Sequence, residues 1–217
     1  MRTRLKVCCI TSVEEARIAI DAGADALGLV ARMPSGPGPI EDDLIAAIAD
    51  SIPAPIATFL LTSEVDPDAV VEHVLRTRVN TVQLVDDSVT TDVYAALRDA
   101  CPAVRIVQVV HVRDKDSVSL ALRAAKYVDT LLLDSGNPFA RVRELGGTGR
   151  THDWALSREV VQNSPKPTFL AGGINPSNVA DAIAQVRPFG IDLCSGVRTA
   201  GHLDAAKLRS LVRAMPT

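Results

Sequence analysis

The chain has 217 residues, of which 47% are hydrophobic and 3% aromatic, and it carries a formal net charge of −3 at pH 7. A chain of that length suits one α/β barrel, and a core so poor in aromatic residues must be built from Val, Leu, Ile and Ala, which excludes base-stacking platforms for nucleic acid. Neither sign of charge gathers into a run and no segment reaches the ~18 apolar residues of a membrane span, so neither nucleic acid nor membrane is an expected partner.

The N-terminus enters a strand without the apolar run of a signal peptide, and the expected location is cytoplasmic. The four cysteines, Cys8, Cys9, Cys101 and Cys194, are then read as reduced thiols rather than as a disulfide framework.

Eight apolar runs alternate with segments of helical period. The strands expected are Leu5 to Ile10, Ala26 to Ala31, Ile56 to Leu61, Thr81 to Val85, Arg105 to Val112, Thr130 to Asp134, Thr168 to Ala171 and Ile191 to Cys194. Each is rich in Val, Ile and Leu, as a strand covered by helices on one side and by a barrel interior on the other must be. Eight strand-then-helix units predict a single (β/α)8 TIM barrel over residues 1–217, with no linker long enough to divide it.

Helix starts agree with that division. Ser12 followed by Glu14 and Glu15 opens the first, Asp66-Pro67-Asp68 the third, Thr90 the fourth, Asp114 or Asp116 the fifth, and Asn175-Pro176-Ser177 the seventh with Pro in its first turn. Asp153 is expected to cap the sixth. Val179, Ile183 and Val186 fall on one stripe of the seventh helix, and Leu208, Leu211 and Val212 on one stripe of the last.

Two loops are long, residues 32–39 after the second strand and residues 136–152 after the sixth. Both follow strand C-terminal ends, the face on which such barrels build their sites. Gly172-Gly173 follows strand seven and Ser195-Gly196 follows strand eight. Glycines there let backbone N–H groups approach an anion, and loops seven and eight are the usual phosphate site of a barrel. The glycine-rich stretch around Gly147, Thr148 and Gly149 offers further N–H groups on a loop able to close.

Cys8 and Cys9 are neighbours on an expected extended strand, so one side chain points into the barrel and the other toward the helices; periodicity leaves open which. If Cys8 points inward, Lys6 does too, and a buried ammonium needs a carboxylate such as Asp192, in a core ion pair without a chemical role. Asp134 ends a run of three leucines, a costly place for a carboxylate unless it is used, and burial favours the protonated form that a general acid needs. Cys8 would need the opposite bias, toward thiolate. His73 is expected at the surface, His202 in a terminal loop, and His111 near the end of strand five as a possible substrate contact. The four histidines are scattered, without ligand spacing for a metal.

Taken together these residues resemble the phosphoribosylanthranilate isomerase family. Its first strand, Lys-hydrophobe-Cys-Gly-Ile-Thr, is matched at Lys6 to Thr11 with Cys9 for Gly. Its Leu-Leu-Asp is matched at Leu132 to Asp134, its Gly-Gly-(Ser/Thr)-Gly-Lys-Thr-Phe-Asp-Trp loop at Gly146 to Trp154 with Arg150 for Lys and His152 for Phe, and its Gly-Gly-hydrophobe-Asn-Pro-x-Asn-Val at Gly172 to Val179. The run Arg187 to Arg198 matches a further motif, with Cys194 for Ser and Arg198 for Glu. The resemblance spans essentially the whole chain, of which this is a divergent member.

The resemblance implies an isomerase performing an Amadori rearrangement of a phosphorylated aminoaldose, N-(5-phosphoribosyl)anthranilate, to an aminoketose, with no metal and no cofactor. Asp134 would be the general acid and Cys8 the general base. Gly147, Thr148, Gly149, Gly172, Gly173, Ser195 and Gly196 would hold the phosphate, and Arg32, Gln83 and His111 are candidate substrate contacts. The strand-two loop carries Met33 to Pro39 where the family has an Arg for the anthranilate carboxylate, and Val85 stands where the family has His. Two alternatives follow from those departures: the same scaffold working on another phosphorylated sugar or amino-sugar, and a non-catalytic barrel that binds phosphometabolites. A monomer or a homodimer is the expected assembly.

Overall fold

The computed structural model describes residues 2–136 and 151–216. Eight parallel strands close into a barrel in sequence order: β1 (Arg4–Val7), β2 (Ala26–Val30), β3 (Ala57–Thr62), β4 (Thr81–Leu84), β5 (Arg105–His111), β6 (Thr130–Asp134), β7 (Thr168–Leu170) and β8 (Gly190–Leu193). β8 pairs back to β1, with Lys6 opposite Asp192. Around them lie α1 (Val13–Asp21), α2 (Asp42–Ser51), α3 (Pro67–Thr77), α4 (Thr91–Ala100), α5 (Asp116–Ala124), α6 (Trp154–Asn163), α7 (Val179–Val186) and α8 (Ala205–Ala214). All eight expected strands are present, each with ends shifted by no more than a few residues. Among the described residues no helix is long and apolar enough to cross a membrane.

Strand alternation divides the apolar residues into two sets. Leu5, Val7, Leu27, Leu29, Leu131 and Leu133 face the helices, whereas Cys8, Val30, Phe59, Leu61, Leu132 and Phe169 fill the interior. Lys6 belongs to the interior set, fully buried, with its ammonium 5.2 Å from the centre of the Phe59 ring.

At the N-terminal rim three side chains clasp neighbouring strands. Asp25 ahead of β2 accepts from Leu5 N (2.9 Å), Asn80 ahead of β4 from Thr58 N (2.9 Å), and Asp129 ahead of β6 from Ile106 N (2.8 Å). Each fixes the start of an odd-numbered strand from the residue that precedes its even-numbered neighbour.

Helix starts follow the sequence signals with one exception. Ser12 Oγ accepts from Glu15 N (3.1 Å) and Asp66 Oδ1 from Ala69 N (3.0 Å), with Pro67 in the first turn; Asp153 caps α6 through Ala155 N. α7, however, begins at Val179 behind Asn178, and Pro176 lies in the turn before it. There Asn178 Oδ1 accepts from Asn175 N, and the amides of both Asn side chains donate to the Gly173 carbonyl, so the turn is bonded by side chains and the helix starts later.

His73 is a correction. It is buried, with its ring between Thr62 Oγ1 (3.0 Å) and Asp42 Oδ1 (3.1 Å). It shares the inward stripe of α3 with Val70, Val74 and Thr77, and that spacing outweighs its charged neighbours in sequence. His202, expected in a loop, pairs with Thr199 in a two-stranded antiparallel ribbon formed by β9 (Arg198–Thr199) and β10 (His202–Leu203).

Candidate active site

Regular pairing of β1 stops at Val7, although Cys8 N still donates to Leu193 O (2.7 Å) and so keeps the strand's alternation for one more residue. Cys8 therefore points inward, one layer above Lys6. Cys9 breaks the pattern: its φ is 62°, in the left-handed region that costs a residue with a Cβ roughly 1–2 kcal/mol. The expectation that the two cysteines face opposite sides thus fails, because Cys9 is not extended. Both thiols line one cavity at the C-terminal ends of the strands. The position where the resembled pattern has Gly is a position that needs positive φ.

That cavity gathers most of the sequence candidates that lie among the described residues. Cys8, Gln83, Asp134, Gly172, Gly173 and Ser195 line it, with Asp192 at its floor and Met33, Ser35 and Pro37 of the strand-two loop across its mouth. Gly196 follows directly, and a Cβ there would lie 2.1 Å from the Ile174 carbonyl oxygen, so loops seven and eight touch backbone to backbone. Gly147, Thr148 and Gly149 fall outside the described residues.

Two candidates lie elsewhere. Arg32 lines a separate recess beside α2 and α3 with Asp42, Glu64 and Glu72, and is not among the residues that line the cavity. His111 is fully buried, and its Nε2 donates to the Val85 carbonyl (3.0 Å) rather than entering the cavity.

Lys6 Nζ lies 2.9 Å from Asp192 Oδ2, and both groups are buried. Burial opposes the ammonium charge, but the Asp192 carboxylate and the nearby Cys8 and Cys9 sulfurs outweigh it, so Lys6 is held protonated far above the ordinary lysine range. The expected core pair is present, yet Asp192 also lines the cavity and its Oδ1 has no hydrogen-bond partner among the described residues.

Cys8 is biased toward thiolate. A hydrogen bond from the Cys9 side chain lowers its pKa against the penalty of burial, and the Lys6 charge adds to that lowering. Cys9 is pushed the other way, first by its contact with Cys194, Sγ to Sγ 2.8 Å, then by Cys8 and by burial. Space for this cluster comes from two glycines. A Cβ on Gly28 would lie 2.7 Å from Cys8 Sγ and one on Gly38 would lie 2.8 Å from Cys9 Cβ.

Asp134, at the end of β6, is buried with Oδ1 accepting from Ser135 N (2.7 Å). His152, which the sequence left unassigned, is close enough to feel the Asp134 charge; burial nonetheless holds it below the ordinary histidine range. Its Nε2 is 2.6 Å from Ser157 Oγ, and its Nδ1 is buried without a partner among the described residues.

Arg198 was also missed. Its buried guanidinium pairs with Glu15 (3.2 Å) and donates to the carbonyl oxygens of Cys8 (3.1 Å), Cys9 and Gly201 (2.9 Å). The sequence marks it only as a departure from the resembled motif, and its role carries no local signal, because Glu15 and the two cysteines lie more than 180 residues away.

The arrangement sets a thiolate-biased cysteine and a carboxyl group in the lining of one cavity, beside glycine turns suited to an anion. That set can move a proton from carbon while another group delivers one to oxygen.

The residue pattern of the family described as N-(5'-phosphoribosyl)anthranilate (PRA) isomerase matches residues 5–214. Among curated relatives, N-(5'-phosphoribosyl)anthranilate isomerase of Halobacterium salinarum is 36% identical over 97% of this chain and 94% of its own. That of Methanocella arvoryzae is 34% identical over 90% and 89%. Among solved structures, N-(5'-phosphoribosyl)anthranilate isomerase from Pyrococcus furiosus superposes with a TM-score of 0.80 at 25% identity, covering 98% of both chains.

Proposed function

The chain belongs to the N-(5'-phosphoribosyl)anthranilate isomerase family, and from that membership we propose that it converts N-(5'-phosphoribosyl)anthranilate to the 1-carboxyphenylamino-deoxyribulose phosphate, with Cys8 as base and Asp134 as acid. The observation that carries the assignment of roles is that both side chains line one cavity at the strands' C-terminal ends.

Asp134 protonates the furanose ring oxygen, the C1'–O bond breaks, and the nitrogen lone pair forms an iminium ion. The Cys8 thiolate then removes the proton from C2', giving an enolamine that relaxes to the ketone. Backbone amides of Gly172, Gly173, Ser195 and Gly196 hold the phosphate, and binding at that remote group orients the reacting carbons. Asp192 Oδ1 and Gln83 Oε1, both without partners, are acceptors for sugar hydroxyls.

The test is turnover of freshly generated phosphoribosylanthranilate, followed by loss of anthranilate-type fluorescence. Wild type turns over, whereas Cys8→Ala and Asp134→Asn lose about 10²–10⁴-fold in kcat while staying folded. Full activity in either variant overturns that residue's role.

A second reading, the same acid and base acting on another phosphorylated amino-sugar, is favoured by one observation. Among the described residues that line the cavity there is no Lys, Arg or His to meet a carboxylate. Turnover of phosphoribosylanthranilate at ordinary enzyme rates removes it.

A further inference from the structure

Cys9 and Cys194 replace the Gly and Ser of the resembled motifs, so three thiols stand where the pattern has one. The two sulfurs are 2.8 Å apart, closer than van der Waals contact and a short movement from the bonding distance of about 2.0 Å. All three cysteines line the cavity, and Cys194 is the partly exposed one while Cys8 and Cys9 are buried. Of the three, Cys194 is therefore the one a small solute reaches most readily.

We propose that Cys9 and Cys194 form a dithiol that a peroxide oxidises to a disulfide, slowing the isomerase while leaving Cys8 unmodified. The effect on rate, though not the oxidation, rests on the function proposed above. Cys194 sulfur attacks one peroxide oxygen; an S–O bond forms, the O–O bond breaks, and the departing hydroxide takes the thiol proton to leave as water. Cys9 sulfur then attacks the Cys194 sulfenic acid, the S–S bond forms, and the S–O bond breaks to release a second water carrying the Cys9 proton. Two thiols lose two electrons to one peroxide.

The consequence for catalysis follows from what Cys9 gives Cys8. In the reduced state Cys9 lines the same cavity as the adjacent Cys8, and its thiol favours the Cys8 thiolate. A disulfide has no S–H to offer, so the Cys8 thiolate loses that donor while keeping Lys6 nearby.

The experiment treats the folded protein with hydrogen peroxide and reads intact mass, peptide linkage and turnover. Wild type is expected to lose two hydrogens and to yield a linked peptide joining Cys194 to the Cys8-Cys9 segment, with turnover at neutral pH falling about three- to tenfold and restored by dithiothreitol. Cys194→Ser and Cys9→Gly, each compared with its own reduced form, keep their rate under peroxide. Absence of the linked peptide overturns the site, whether Cys8 gains oxygen instead or no thiol changes. A linked peptide with unchanged turnover overturns the regulation, and inactivity of the reduced wild type counts against the isomerase reading and not against the disulfide.

Discussion

Arg198 donates through Nη2 to the carbonyl oxygen of Cys9, the residue that holds a φ of 62° next to Cys8. The same guanidinium spans Glu15 and the Cys8 carbonyl, so the ends of the chain meet beneath the thiol cluster. A left-handed non-glycine residue persists only where its surroundings over-determine it, and this clamp supplies that restraint.

Arg198→Glu restores the family's residue type but sets it against Glu15. Burial pushes the Glu15 carboxyl up, yet the Leu203 amide and Arg198 outweigh it and hold it below the usual carboxylate range. The expected loss is about 2–4 kcal/mol, or roughly 5–15 °C in Tm for a chain of this size. Thermal unfolding checks it; an unchanged Tm refutes the clamp.

The rate profile reports the base. Since a hydrogen bond from Cys9 and the Lys6 charge lower the Cys8 pKa against burial, the rise of kcat/KM with pH should have its midpoint below that of an ordinary thiol, about 8.5. Lys6→Met should move that midpoint upward and also destabilise, by about 3–5 kcal/mol, because Asp192 is left buried and unpaired. Profiles measured on the folded fraction decide the matter, and a midpoint unmoved by Lys6→Met counts against the electrostatic role.

Gly28→Ala tests the notch that admits the base. The added Cβ would meet Cys8 Sγ at 2.7 Å, Cys8 Cα at 3.0 Å and Lys6 Nζ at 3.1 Å, and the Cα is backbone that cannot rotate away. Overpacking costs about 1–3 kcal/mol, and displacing the base should lower kcat about tenfold or more with KM nearly unchanged. A variant with wild-type kcat would show that Cys8 shifts without consequence.

Acid sensitivity should come partly from the opposite rim. Burial raises the Asp25 carboxyl, but the Leu5 amide, Arg2 and Arg4 outweigh it and hold its pKa below the ordinary range. A group depressed on folding adds stability that is present above its unfolded value of about 3.9 and is lost as pH falls through the folded value. Asp25→Asn should therefore cost about 1–2 kcal/mol at pH 7 and flatten the stability profile below about pH 4.5, with kcat untouched. Denaturant titrations across pH measure it, and parallel profiles for the two proteins would exclude Asp25 as the source.

The barrel itself was legible because each strand is a short Val/Ile/Leu run set off by capped helices, and runs such as Leu131-Leu132-Leu133 admit no amphipathic helix. The cavity was legible at two of its lining residues that end strands, Cys8 and Asp134. What escaped depends on contacts the sequence does not juxtapose. The turn at Cys9 defeated strict alternation, and Arg198 reaches a carboxylate 183 residues away. Arg32, the first residue of the strand-two loop, lines a recess beside α3 with several carboxylates instead of the cavity. His73 was judged by its neighbours in sequence, when burial and side-chain partners decide its place.

The three rim clasps carry a consequence for how the chain reaches this structure. Asp25 to Leu5, Asn80 to Thr58 and Asp129 to Ile106 span 20, 22 and 23 residues, all within single strand–helix–strand units. The loop-closure entropy for such spans is modest compared with joining β8 to β1, so the register of each pair can be set from within its own unit. None of the three clasps waits for the barrel to close.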